Sequence, residues 1–368
     1  MASGRPLERI AKAQAQLDAL GADALLVAPS ADFRYFTGLP GHVSERLTAL
    51  VIPREGPATL LVPQLEAPLY AALPNTLQRR TWADGDDPIA ALCQVLDAAQ
   101  ARVVAVNDQL WSGFLLQLQE AAPDRRFVRG QPLLRRLRMV KDADELATLR
   151  EAARRTDVAW EAFCASARLV GQTERALAAQ LRAALEAEGL ETVAFCIVAS
   201  GPNAASPHHE PGDRVVQPGD PVIFDFGGTL DGYYSDCTRT VMAGHDAPPE
   251  IADAYDAVLE ANQAAFAAIR PGVPCEEVDR AARQVLEDRG YGPFFIHRTG
   301  HGLGLSGHED PYLVAGNREP LQPGMVVSDE PGVYLAGRWG IRIEDIVVVT
   351  EDGAERLNTT SHELRVLP

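Results

Sequence analysis

Two acidic residues in strand-forming sequence constrain this chain more than any other feature: Asp225 and Asp236, in VIFDFGGTLDGYYSDCTRTV. Apolar, β-rich runs flank a Thr-Leu-Asp-Gly turn, the pattern of a β-hairpin. The two aspartates are equidistant from a turn centre near Leu230 and Asp231, so that register predicts them side by side on one face. Aspartate is disfavoured inside strands, and like charges set opposite each other repel. A cation between them reverses the sign. Solvated carboxylates at loop ends are the plainer alternative.

A second hairpin shifts the balance. MVVSDEPGVYL and GRWGIRIEDIVVV are again β-rich, joined near Gly337, with Glu330 and Glu344 equidistant from that glycine. Between the hairpins lies HRTGHGLGLSGHE, which carries His297, His301 and His308. Four carboxylates and a nearby histidine suffice to hold two divalent cations, whose charge the carboxylates neutralise. Oxygen ligands with one nitrogen suit manganese, cobalt or zinc and do not suit a thiolate metal. His297 and His301 have helical zinc-pair spacing, but Gly300, Gly302, Gly304 and Gly307 argue for an extended segment instead. Arg342 lies two residues before Glu344, on the same strand face, where a guanidinium can keep a ligand carboxylate ionised.

A chain of 368 residues makes two domains or one large one. Its net charge of −17 argues against a nucleic-acid or anionic-membrane partner. No apolar run is long enough to span a bilayer. The N-terminus, MASGRPLERIAKAQAQLDALGADALLV, reads as an amphipathic helix running into a strand and not as a signal peptide. Cys93, Cys164, Cys196, Cys237 and Cys275 have no metal or redox spacing, which points to reduced thiols in a cytoplasmic protein.

Up to about Arg138, the runs DALLVAP, TALVIP, ATLLVP and RVVAVN predict strands, and PLERIAKAQAQLDALG and DPIAALCQVLDAAQ predict helices: an α/β domain. RYFTGLPGH reads as a loop, either a structural turn or a segment reaching over a neighbouring active site. Beyond LLRRLRMVKDADEL a long helix follows, capped by Asp142 or Asp144, then a second helix capped by Thr173. The remainder reads helix–helix–hairpin twice, a weak internal repeat.

SGPNAASPH, FDFGG with SDCTRT, GHGLGLSGHE, DEPGVY and GIRIED, in that order, resemble the Xaa-Pro peptidases of the pita-bread metallopeptidase family, prolidase and aminopeptidase P. RYFTG and the α/β segment before it resemble the N-terminal domain of those enzymes. The resemblance implies a creatinase-like α/β domain over 1–138, concerned with oligomerisation and the active-site rim. A pita-bread domain over 139–368, with a curved, mainly antiparallel sheet and a pseudo-twofold repeat, would follow it. It implies hydrolysis of Xaa-Pro bonds in dipeptides or at peptide N-termini, with two divalent cations, manganese first and cobalt or zinc as alternatives.

By the same resemblance Asp225 chelates the first cation, Asp236 and Glu344 bridge both, and His301 and Glu330 complete the second. Water between the cations is the nucleophile, and Glu330 takes its proton. His208 and His308 polarise the scissile carbonyl and stabilise the oxyanion. Phe195, His297 and Tyr334 line a proline pocket, with Arg342 behind the ligands. Asp329 departs from the family pattern, and strand alternation sends it to the far face. The resemblance also implies a homodimer in which Arg34 to His42 of one subunit narrows the active-site mouth of the other. A catalytically silent peptide- or protein-binding module is the competing class; loss of ligands would mark it, and all five are present. Dipeptidase and aminopeptidase P are not separated by these residues.

Overall fold

The computed structural model describes residues 5–368, and the chain divides into two compact units between Arg138 and Met139. The first four residues of the N-terminal stretch read as a helix lie outside the described residues. The first unit runs α1 (Arg5–Gln14), β1 (Ala24–Val27), α2 (Ala31–Thr37), β2 (Ala49–Pro53), β3 (Thr59–Pro63), β4 (Gln78–Trp82), α3 (Pro88–Ala98), β5 (Val103–Val106), α4 (Ser112–Ala121), β6 (Arg126–Arg129) and α5 (Gln131–Met139). Its strands form one mixed six-stranded sheet in the order β4-β3-β2-β1-β5-β6. The four strands expected from sequence are the four central ones, buried and apolar. The two edges, QRRTW and RFVR, carry exposed arginines and escape an apolar-run reading, as charged edge strands do.

RYFTGLPGH is not the expected loop at its start. Ser30 caps α2, its Oγ accepting from the Phe33 amide at 3.2 Å, and Gly38 ends the helix at φ 72°. Tyr35 and Phe36 are buried within their own unit. The Tyr35 hydroxyl donates to the Leu137 carbonyl at 3.1 Å, and the Arg9 guanidinium lies 4.1 Å from the Tyr35 ring.

The second unit opens with α6 (Ala143–Ser166), started by a capping box in which Asp142 and Glu145 each accept the other's amide at 2.9 Å. There follow α7 (Glu174–Ala187), β7 (Thr192–Ser200), β8 (Pro221–Leu230), β9 (Tyr233–Tyr234), β10 (Cys237–Ala243), α8 (Pro249–Ala268) and α9 (Cys275–Asp288). The chain ends with β11 (Gly300–Gly302), β12 (Glu309–Leu313), β13 (Val326–Asp329), β14 (Gly332–Leu335), β15 (Trp339–Arg342), β16 (Asp345–Val349), β17 (Ala354–Arg356) and β18 (Val366–Leu367). One sheet runs β18-β10-β8-β7 and the other β12-β11-β13-β16-β17, with β14 and β15 pairing separately. All these pairings are antiparallel except that of β10 with β18. A backbone bridge, Thr238 to Glu344, links the two sheets. Two helices before each hairpin set give the helix–helix–hairpin repeat of a pita-bread fold.

Candidate active site

Strand alternation builds the first wall. In FDF, Phe224 and Phe226 face α6, where Trp160 lies 5.3 and 5.1 Å from their rings. Burying each of these rings contributes about 1.5–3 kcal/mol, which fixes the strand's rotation. Asp225 between them must point the other way, into a cavity of about 490 Å³. Asp231 at φ 48° and Gly232 at φ 77° form the turn, a two-residue hairpin connection of the Asp-Gly type. This turn sits further along the chain than the centre read from sequence, so the register slips by two. Asp225 pairs with Thr238, and Asp236 stands diagonally across instead of side by side. A slip of two preserves the face, and Asp236 still enters the cavity.

The second hairpin keeps its expected register. Pairs from Val326 with Val348 through Leu335 with Trp339 obey one alignment about Gly337, whose φ is 72°. Glu330 and Glu344 do not lie inside strands, however. They occupy the gap between the β13/β16 and β14/β15 ladders, where side chains are free to converge. Thr238 Oγ1 donates to Glu344 Oε2 at 2.6 Å, and the Glu344 amide donates to the Thr238 carbonyl at 3.1 Å. Arg239, buried, donates to the carbonyl of Glu344 at 2.6 Å and to Asp345 Oδ1 at 2.7 Å. The TRT stretch thus welds the two acid-bearing hairpins together.

His301 comes from β11, which passes so close to β13 that a Cβ at Gly300 would lie 1.9 Å from the Ser328 carbonyl oxygen. Only glycine permits that approach. The His301 Nδ1–H donates to the Gly302 carbonyl at 3.0 Å, which leaves the Nε2 lone pair facing the acids: 3.3 Å from Glu330 Oε1 and 3.9 Å from Asp236 Oδ2. Ser328 Oγ accepts from the His301 amide at 2.9 Å and donates to Glu330 Oε1 at 3.1 Å.

Asp236, His301 and Glu344 bring one donor atom each to within 4.8 Å of one another, all three buried. Asp225 stands beside them with Oδ2 at 2.5 Å from Arg342 Nη2. Burial, then the charges of Glu344, Asp225 and Glu330, push Asp236 well above the usual carboxylate range. Burial with the charges of Glu330 and Asp225 does the same to Glu344. Asp225 Oδ1 and Asp236 Oδ1 are buried without a hydrogen-bond partner. Burial also pushes His301 down to about 4, so its Nε2 is an unprotonated donor at neutral pH. Crowded acids, orphaned oxygens and a neutral imidazole fit divalent cations, which would be held by Asp225, Asp236, His301, Glu330 and Glu344.

The other residues singled out from sequence divide. Phe195, His208, His297, His308 and Arg342 line the cavity, and Ile197 and Pro207 add apolar wall. Tyr334 does not line it. Its hydroxyl, buried, accepts from Arg342 Nη1 at 2.9 Å and donates to His297 Nε2 at 2.9 Å. His297 also donates from Nδ1 to the Arg298 carbonyl at 2.7 Å, so both of its ring nitrogens are spent on the protein. His297 therefore offers a ring face and no hydrogen bond. Asp329 does lie on the far face, fully buried opposite Asp345, with Arg356 as its nearest cation at 3.9 Å.

Sequence reasoning missed Glu174. Its carboxylate, buried at the start of α7, accepts from the Ser200 amide and hydroxyl at 2.8 and 2.7 Å, Asn203 at 3.0 Å and the Gly212 amide at 3.2 Å, and pairs with His209 at 2.8 Å. It organises the loop that carries His208 and gives His209 a structural partner. A lone glutamate at a helix start reads as an ordinary first-turn acid, so no sequence signal marked it.

Comparison with known proteins gives the family. Residues 147–351 match the model of metallopeptidase family M24, and residues 9–140 match the creatinase/prolidase N-terminal domain. The chain belongs to the M24 metallopeptidase family. A probable dipeptidase PepE of Mycobacterium tuberculosis is 44% identical over 364 residues, covering 98% of this chain and 96% of that one. The crystal structure of dipeptidase PepE from Mycobacterium ulcerans superposes with a TM-score of 0.93 at 44% identity, covering 100% and 99% of the two chains. A recombinant prolidase from Thermococcus sibiricus gives a TM-score of 0.93 at 36% identity, covering 98% and 99%.

Proposed function

We propose that this peptidase hydrolyses Xaa-Pro bonds, in dipeptides or at peptide N-termini, with two divalent cations held by Asp225, Asp236, His301, Glu330 and Glu344. The observation that carries the reading is the convergence of these five side chains in one cavity beside the apolar surfaces of Phe195, Ile197 and Pro207. Bound cations supply Lewis acidity and a nucleophile drawn from water at neutral pH. The chain's own residues supply the rest. Glu330, at the cavity wall, takes the proton; His208 and His308 donate to the carbonyl oxygen as it becomes anionic. The His297 ring, fixed by Tyr334, and Phe195 offer flat apolar faces to a proline ring. A bond to proline lacks the N–H that other peptidases engage, and its φ is locked, so a shaped pocket with no demand for that donor suits it.

The donor set supports manganese, cobalt or zinc. A homodimer in the cytoplasm belongs to the same proposal, supported by the family resemblance and by five free thiols. Among the described residues no helix is long and apolar enough to cross a membrane. The test is product analysis on Ala-Pro against Ala-Pro-Ala: release of alanine from the dipeptide alone makes a dipeptidase, and release from both an aminopeptidase P. Cleavage of Ala-Ala with neither of these removes the Xaa-Pro assignment.

A further inference from the structure

We propose that Arg298 is a positioning residue that holds His308 in the Nε2–H tautomer, the form able to donate a hydrogen bond to substrate. The inference rests on the role given to His308 above. Arg298 Nη2 lies 3.1 Å from His308 Nδ1. A guanidinium has donors and no acceptor, so Nδ1 must be the accepting nitrogen. A neutral imidazole whose Nδ1 accepts carries its single proton on Nε2. An imidazolium has no accepting nitrogen, so the same contact selects the neutral ring.

Two further contacts make this arrangement rigid. The Arg298 guanidinium lies over the Tyr312 ring at 4.3 Å, so its plane is set independently of His308. The His308 ring lies against that of His301, with centroids 3.8 Å apart and planes at 30°. Stacking sets the position of the imidazole, and Arg298 sets which nitrogen bears hydrogen. The neighbouring histidines show the same division by hydrogen bonding. The proton of His301 is on Nδ1, given to a carbonyl, which leaves Nε2 for a cation. His308 has the opposite tautomer, and its Nδ1 is closed to a substrate proton. It is therefore a donor to an oxyanion and not a base.

The test is ¹⁵N NMR of zinc-loaded protein labelled at histidine, with the His308 signals identified by their loss in His308→Ala. The wild type is expected to show the Nε2–H tautomer, and Arg298→Ala a mixture, with metal content unchanged. Arg298→Ala should lower kcat on Xaa-Pro substrates about 10- to 100-fold, the scale for removing a group that orients a site histidine, with little change in KM. Arg298→Lys, which still donates, should recover part of that loss, and Arg298→Ala should cost nothing further in a His308→Ala background. A wild-type His308 protonated on Nδ1 overturns the proposal, as do losses that multiply in the double variant. A defect confined to substrates with a free C-terminal carboxylate also overturns it and assigns Arg298 to substrate binding. Should Arg298→Ala not fold, the wild-type spectrum and Arg298→Lys decide alone. If wild type cleaves no Xaa-Pro bond, the proposed function fails while the spectrum still reads the tautomer.

Discussion

Arg342 Nη2 lies 2.5 Å from Asp225 Oδ2, and the same guanidinium donates to Tyr334 Oη at 2.9 Å and Thr238 Oγ1 at 3.2 Å. One buried cation thus orients a carboxylate proposed as a ligand, the hydroxyl that fixes His297 and the threonine that holds Glu344. Burial works against its charge, but Tyr334, Asp225 and Glu330 outweigh that and keep Arg342 protonated.

Arg342→Met should therefore do more than remove a charge. It leaves Asp225 buried without its partner, a loss of about 3–5 kcal/mol for a broken buried pair. Metal affinity should fall about 10- to 100-fold, as for other groups that orient ligands. Thermal unfolding and metal titration read the two effects; an unchanged Tm with full metal content would show that the guanidinium is dispensable.

His308→Ala separates binding from chemistry. His308 lines the cavity but is not among the four acids and one imidazole proposed to hold cations. Metal content should stay near wild type while kcat falls about 10²- to 10³-fold, the scale for one oxyanion donor. Loss of metal in this variant would make His308 a ligand.

Protons and cations should compete at this site. Asp236 and Glu344 are pushed up by burial and by their neighbours' charge. Cations bind the ionised forms, so binding should release protons, and affinity should fall as pH falls. The sign for stability follows from the same shifts. A folded-state carboxyl raised above its unfolded value favours the metal-free fold fully below the unfolded value, near pH 4, and that contribution is lost as pH rises through the folded value. Metal-free protein should lose stability on going from mildly acidic to neutral pH relative to loaded protein. Calorimetric titration in buffers of different ionisation enthalpy measures the release directly, and none at neutral pH would contradict the electrostatics.

Glu174 shows the opposite sign. Burial alone would raise it, but hydrogen bonds from Ser200, His209 and Asn203 hold it below its ordinary value of 4.5. Its contribution is present above the unfolded value and lost as pH falls through the folded one. Glu174→Gln should cost about 1–3 kcal/mol at neutral pH and flatten the acid limb of the stability curve. It should also lower kcat through the His208 loop. An unaltered acid limb would mean that the charge of Glu174 contributes nothing.

The sequence was most legible where pattern and chemistry coincide. FDF alternation, the second pair of acids equidistant from Gly337 and the glycines around His301 all reflect backbone geometry that residue type reports directly. The slip of the first hairpin was not legible, because two Asp-containing turn centres compete and only the positive φ of Asp231 and Gly232 selects one. Tyr35 and Phe36 were read in a loop because the glycine and proline that follow dominate the local signal. The Ser30 cap that starts α2 lies before the motif. Phe36→Ala should now cost about 3–5 kcal/mol of N-terminal stability by leaving a cavity, whatever its effect on substrate choice. Glu174 and Arg298 stayed hidden because their roles depend on partners far away in sequence or on one nitrogen of a histidine.

The most direct test of the account is Ala-Pro hydrolysis followed across metal reconstitution. Protein stripped by exhaustive chelation should show no cleavage. Manganese, cobalt or zinc should restore it, reaching a plateau at two equivalents per chain. Full activity in a verified metal-free preparation would contradict the account, and a plateau at a single equivalent would contradict its dinuclear form.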